Sequence, residues 1–416
     1  MRIVVLLPSL VLGAFVHAVG AAEPPLGSAD FAPSPERPFG WRGDGSGRFL
    51  GATPATAWSV TKNVRWKTVV GSGYSSPILT EKLAIVTSEP NRLICLDRGD
   101  GKVRWKLEIK PDNLADEKNR KAATEYEPPK DGSGLMAATP LTDGKAVYVA
   151  LANGIVCAVD LSGKLKWTAY IEADQNTGYG RSSSPLIVAG KLIVHMTNLY
   201  AFEPTTGKQL WVNTEASSKY GTPTTLKVAE VDLIITPAGD AVRASDGKTV
   251  ASEVGNTNHT SPVALDGVVY YGDSAVTASR FLAKLKLKEV WNGEIGGDEV
   301  FGSPLLHDGI LFTATGKGDL FAFATNGVGE QSPLIKARPL FGKSEAKVPL
   351  VYASVTLAGR HLFLNSNQGE IVVLEATREA KLVSRIRLAS GTGSTPVFSG
   401  NEMFLRDGNR LFCIDH

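Results

Sequence analysis

Cysteine is scarce in this chain. Its 416 residues include three, Cys95, Cys157 and Cys413, and no two stand in the Cys-x-x-Cys spacing of a metal or redox pair. There are six histidines and no His-x-x-x-His, so the commonest zinc arrangements are excluded. No Gly-x-Ser-x-Gly nucleophile elbow and no Walker-type phosphate loop occurs. Gly316-Lys317-Gly318 reads as a hairpin turn, with no helix behind it to hold a phosphate. Charge of one sign is lacking too: 44 Lys and Arg against 42 Asp and Glu leave a formal charge of +2, which gives no overall pull toward nucleic acid or a membrane surface.

What the chain has in quantity is glycine, 43 residues, spaced between short apolar runs. The stretch from Ser182 to Trp211 shows the unit. A hydroxyl residue and Pro185 open one run, Gly190-Lys191 turns it, and Leu192 to Met196 is a second. Tyr200-Ala201-Phe202 is a third, Thr206-Gly207-Lys208 turns again, and Leu210-Trp211 begins a fourth. Such a pattern predicts one antiparallel sheet of four short strands. A single sheet of this size cannot bury both faces, so it must stack on copies of itself.

The copies are present. The hydroxyl-Pro pair recurs at Ser76-Pro77, Thr139-Pro140, Ser184-Pro185, Thr222-Pro223, Ser261-Pro262, Ser303-Pro304 and Thr395-Pro396, with a degenerate copy at Ser354-Val355. The steps between them are 63, 45, 38, 39, 42, 51 and 41 residues, so the first and sixth carry insertions. The last unit stops at His416 after its third strand, while Asn63-Val64-Arg65-Trp66-Lys67 matches the missing fourth. Pairing the two ends closes a ring with no long unpaired edge. The sequence therefore predicts an all-β fold, an eight-bladed β-propeller of four-stranded antiparallel blades closed by an N-terminal outer strand.

Residues 1–22 carry Arg2, an apolar stretch and small residues at Gly20-Ala21-Ala22, the pattern of a cleaved secretory signal peptide. No cysteine follows to carry a lipid. The mature chain is thus expected to be exported to the periplasm or the extracellular space, without a membrane span, as a monomer. Residues 23–40, rich in Pro, Ser and Ala, read as a flexible leader, and residues 41–416 as the propeller. The glycines from Gly40 to Gly47 suggest a wrapped loop, with Trp41 and Trp58 packed on the ring. Cys95 and Cys413 occupy the third-strand place that Ala201 and Ala322 hold elsewhere, and Cys157 is displaced by one. Neighbouring blades hold such positions too far apart for a bridge, so free thiols and no disulfide are expected. Asp97, Asp160 and Asp415 end third strands and cap turns. The charged insertion at 110–133 suggests a solvated excursion with a short helix across Leu114 to Ala123, either a plain loop or a lid.

A propeller brings all its blades together only at the central channel, so chemistry is sought there. Three places before the second residue of each anchor pair come Tyr74, Ala137, Ser182, Tyr220, His259, Phe301, Tyr352 and Gly393, with Arg181 and Lys219 alongside. Tyr74, Arg181, Lys219, Tyr220, His259, Phe301 and Tyr352 are the candidate binding residues of the channel mouth. Such a mouth suits a planar or anionic ligand or a peptide; the other reading is that these rings plug the channel. No catalytic residue and no metal set stands out. His195 and His361 fall inside strand patterns, and His307 at a turn.

The unit of Ser-Pro, apolar run, Gly-Lys, apolar run, Leu-Tyr-Ala-Phe and Thr-Gly-Lys-x-x-Trp resembles the PQQ-like β-propeller repeat over residues 60 to 416. The family includes quinoprotein dehydrogenases, the propeller lipoprotein of outer-membrane protein assembly, and secreted propellers of uncharacterised role. The resemblance to the first implies PQQ with calcium as cofactor and an oxidoreductase activity. Those enzymes use adjacent cysteines over the cofactor, and this sequence has no Cys-Cys. The resemblance to the second implies a protein or peptide partner in the cell envelope and no cofactor, though the lipid-bearing cysteine is missing. The first expectation is a non-catalytic exported scaffold; the alternative is a PQQ-dependent oxidoreductase.

Overall fold

The computed structural model describes residues 23–59, 61–130, 134–173, 178–342, 349–388, 390–391 and 393–415. The signal-peptide expectation for residues 1–22 lies outside them.

The third blade shows how the repeat folds. Leu186–Val188, Lys191–His195, Leu199–Phe202 and Gln209–Asn213 form successive strands of one antiparallel sheet. The first hairpin turns through Ala189 and Gly190, both at positive φ (48° and 70°), the geometry that suits the twist of a two-residue loop. Its two middle strands are buried on both faces apart from the half-buried Lys191, because a neighbouring blade covers each side. Eight such sheets follow one another around the ring. The last is completed by Val64–Val69, which pairs with Arg410–Ile414 and sets Trp66 opposite Cys413. At this seam Glu402 accepts from Arg98 Nε at 2.7 Å and also from Arg65, which reaches Asp415 as well.

The recurrent Gly-Lys turn and the recurrent Trp are two halves of one contact between blades. Trp66, Trp105, Trp167, Trp211 and Trp291 each donate Nε1 to a carbonyl of the next blade, at Arg98, Leu161, Pro204, Ala244 and Thr325, over 2.8 to 3.2 Å. The first four rings lie across Gly101, Gly163, Gly207 and Gly247, where an added Cβ would sit 2.5 to 2.7 Å from ring carbons. Glycine is needed there for space and for positive φ. Cys95 and Cys413 lie opposite Trp105 and Trp66, where Ala201 lies opposite Trp211, while Cys157 is one register place away, opposite Thr168. All three thiols are free and buried, and burial pushes each up to about 12. Asp97 and Asp160 cap their turns, accepting from Gly99 N and Ser162 N.

The expectation of a flexible leader at residues 23–40 is corrected. Leu26, Phe31 and Phe39 are buried, and the segment is tied to the eighth blade by Gly400 N donating to Gly27 O at 2.7 Å and Ser399 Oγ to Ser28 O at 3.2 Å. Its apolar residues follow no strand or helix period because it packs with irregular backbone across the end of the channel opposite the mouth. Phe39 bridges Thr142 of the second blade. The loop expected after it is present at Gly40 to Gly47, but Arg48–Phe49 then adds to the inner strand of the seventh blade, parallel to Leu357 and Ala358.

The helix expected in the first insertion runs over Glu117–Glu125, capped by Asp116, whose Oδ1 accepts from Asn119 N. It rests on the second blade, with Asn153 Nδ2 donating to Ala123 O. In the insertion at the sixth step, Gly329–Glu330 pairs with Trp291 and Asn292 as a fifth strand of the fifth blade. No helix among the described residues is long and apolar enough to cross a membrane.

Candidate functional site: the channel mouth

The hydroxyl of each anchor pair has a job that the sequence pattern alone does not reveal. Around the channel, the backbone N–H of one anchor residue donates to the side-chain oxygen of the next: Ser76 to Thr139, Thr139 to Ser184, Ser184 to Thr222, Thr222 to Ser261, Ser261 to Ser303, Ser303 to Ser354 and Ser354 to Thr395, all within 2.8 to 3.2 Å. Ser76 Oγ donates to Thr395 O at 2.8 Å and closes the circle. The belt explains why the degenerate seventh anchor, Ser354-Val355, keeps its hydroxyl and loses only the proline.

Above this belt lies a bowl of ≈ 630 Å³. All eight positions selected by the repeat line it, the aromatic or imidazole ones being Tyr74, Tyr220, His259, Phe301 and Tyr352. Four of these form a continuous arc. Tyr220 and His259 stack at 5.2 Å with planes 12° apart, His259 meets Phe301 edge-on at 5.1 Å, and Phe301 meets Tyr352 at 5.1 Å. Asn258 Nδ2 lies 3.2 Å from His259 Nε2. The arc leaves the bowl open: Tyr74 is 53% exposed and Tyr352 46%. Burial raises the Tyr352 pKa, and neighbouring Tyr179, Tyr74 and Glu299 add to the effect.

Arg181 and Lys219 are not in the lining. Successive side chains of an extended segment alternate in direction, so with Ser182 and Tyr220 turned inward their predecessors turn away. Arg181 is buried and close enough to His195 to reinforce the effect of burial, which lowers that histidine's pKa to about 4. Two aromatic residues that the repeat did not point to also line the bowl, Tyr179 and Trp41. Tyr179 stands 61% exposed beside Tyr220 and His259. Each is adjacent to glycine, in Gly178-Tyr179-Gly180 and Gly40-Trp41, a signal of an exposed aromatic on a turn. No residue of the 110–130 stretch lines the bowl.

Trp41 is the floor. On its far side lies a second cavity of ≈ 340 Å³, bounded by Leu26, Phe31, Leu141 and Leu186. Next to it Arg42, fully buried, donates Nη2 to Pro304 O and Val355 O, both at 2.9 Å, and holds its guanidinium 5.2 Å from the Trp41 ring. Desolvation lowers the Arg42 pKa to about 9, against a small opposing pull from Asp44. The N-terminal segment thus closes the channel, and the mouth is blind.

A quinone held by calcium needs clustered oxygen donors of negative charge. Glu299 is the one carboxylate among the lining residues, and no group of three or more His, Cys, Asp or Glu among the described residues is placed to hold a metal. The residues present do not fit that cofactor.

The model of the outer membrane protein assembly factor BamB family matches residues 47–325. No curated protein matches the chain. Among solved structures, BamB from Moraxella catarrhalis is 14% identical with a TM-score of 0.57, over 84% of this chain and 98% of that one. The quinohemoprotein alcohol dehydrogenase of Comamonas testosteroni is 10% identical with a TM-score of 0.57, over 85% of this chain and 76% of that one. The computationally designed Ika8 protein is 10% identical, also at 0.57, over 84% and 99%. At these identities the likeness is one of fold.

Proposed function

Because the chain belongs to the family of the outer membrane protein assembly factor BamB, we propose that it is an exported, non-catalytic scaffold of the cell envelope that binds a protein or peptide segment in its channel mouth. The observation that carries this reading is the aromatic arc. Tyr220, His259, Phe301 and Tyr352 come from four successive connections between blades, touch one another, and leave the bowl beside them open to solvent. Large rings held on a rigid frame lose little freedom on binding, and Tyr is enriched among the residues that dominate interfaces. The oxidoreductase reading gains no support from the lining, which supplies no calcium set.

The test is partner binding by rim variants. Tyr352→Ala and Phe301→Ala, alone and together, are expected to weaken binding of the cognate envelope protein by at least about tenfold, since a truncated hot spot costs roughly 2 kcal/mol or more. Thermal melting checks that the fold is kept. Unchanged affinity in the folded double variant would refute the assignment of this face.

A further inference from the structure

The belt at the neck of the bowl is more than a clasp between blades. Each hydroxyl from Thr139 to Thr395 accepts an N–H from its neighbour and, among the described residues, donates its own proton to no protein acceptor. Ser76 spends its proton on Thr395 O. All of these residues line the bowl, and a hydroxyl that accepts one hydrogen bond is polarised to donate another. The neck is therefore a closed circle of O–H donors.

A second observation gives the sign of the guest. Arg42 hangs from Pro304 O and Val355 O, the carbonyls that follow belt residues Ser303 and Ser354, while its Nε and Nη1 are buried with no hydrogen-bond partner among the described residues. Asp44, the carboxylate that acts on it, is exposed and engaged with Ser46. A buried cation whose opposing carboxylate stands out in solvent is poorly compensated, and a negative group at the belt, beside the carbonyls that hold it, adds to the compensation. A metal cation there would be repelled. Charge is balanced by one unit, and Glu299 at the rim opposes more.

Trp41 closes the bowl below the belt, so a chain that enters cannot pass through. Resting on the reading of the mouth as a peptide site, we propose that the belt binds the free C-terminal carboxylate of a peptide, whose last side chain stacks on the aromatic arc. The carboxylate accepts from the hydroxyl circle, in the field of Arg42, and the chain leaves toward solvent past Tyr352.

The test uses the purified protein and three short peptides in calorimetric titration: acetyl-Ala-Ala-Tyr with a free C-terminus, the same peptide amidated, and amidated acetyl-Ala-Asp-Tyr. The free acid is expected to bind at least about tenfold more tightly than its amide, as charge-assisted hydrogen bonds are about twice as strong as neutral ones. Ser261→Ala with Ser303→Ala is expected to bring the acid down to the level of the amide; if this variant fails to fold, the comparison in the unaltered protein still decides. Equal binding of acid and amide would overturn the inference and leave the mouth standing as a peptide site. Tight binding of the Asp-containing amide would overturn the C-terminal assignment in favour of an acidic side chain. Binding of none of the three would also overturn it, and the mouth itself would then be judged by the rim variants.

Discussion

The indole Nε1 of Trp167 donates to the carbonyl of Pro204 at 2.8 Å while its ring lies across Gly207, so one residue of the second blade holds the third by a hydrogen bond and a flat contact. Gly207 has φ of 72°, and a Cβ there would stand 2.5 Å from the ring. Gly190 has nearly the same φ, 70°, with open space around it. Gly190→Ala is expected to cost about 1 kcal/mol from backbone strain alone, and Gly207→Ala roughly 1–3 kcal/mol more from the forced separation of the blades. Urea denaturation of both variants measures the difference, and equal losses would show that the Trp contact is not structural.

The hydroxyl belt predicts a cost of similar size at the channel. Ser261→Ala removes the acceptor for the buried N–H of Thr222 and is expected to destabilise the protein by about 1–3 kcal/mol, the penalty of an unsatisfied buried donor. Thr222→Ser keeps the hydroxyl that accepts from Ser184 N and should cost much less. Chemical denaturation of the pair checks this; a loss in Ser261→Ala no larger than in Thr222→Ser would contradict it.

Acid should weaken the fold partly through His195. Its pKa is lowered by burial to about 4, whereas the unfolded chain takes up the proton near the usual 6.5. Below about 6.5 the unfolded state binds more protons than the folded one, so stability falls as pH falls until the folded pKa is reached. Between about pH 7.5 and about pH 4.5 this one group should account for roughly 2–3 kcal/mol of lost stability. His195→Leu should therefore lose that much less than the unaltered protein across the same interval, measured as the shift in urea midpoints. An identical pH dependence in the two proteins would show that His195 does not titrate as its burial requires.

The blades were legible because each is marked by residues that its geometry demands: a hydroxyl at the belt, a positive-φ glycine under a tryptophan, a small residue such as Ala201 or Cys413 opposite that tryptophan. Ser354-Val355 shows which half of its pair matters. The inward rim positions, Tyr74 through Tyr352, could be found by counting from the anchors, since register fixes which side chain faces the channel. The same alternation turns Arg181 and Lys219 away, and reading adjacent residues as one patch missed it. Leu26, Phe31 and Arg42 were beyond sequence reasoning. They sit in an irregular segment whose burial depends on the second, seventh and eighth blades, and nothing local signals that the channel will be closed by its own N-terminal stretch.

The most direct test of the mouth as the binding face is site-specific photo-crosslinking in living cells, with the reactive residue at Tyr74 or Tyr352 on the rim and, as the control, at Gly190 on a turn of the opposite face. The account predicts a discrete protein adduct from the rim positions that is absent at Gly190 and is lost when Phe301→Ala is combined with the crosslinker. Adducts of equal yield from both faces, or from Gly190 alone, would contradict it.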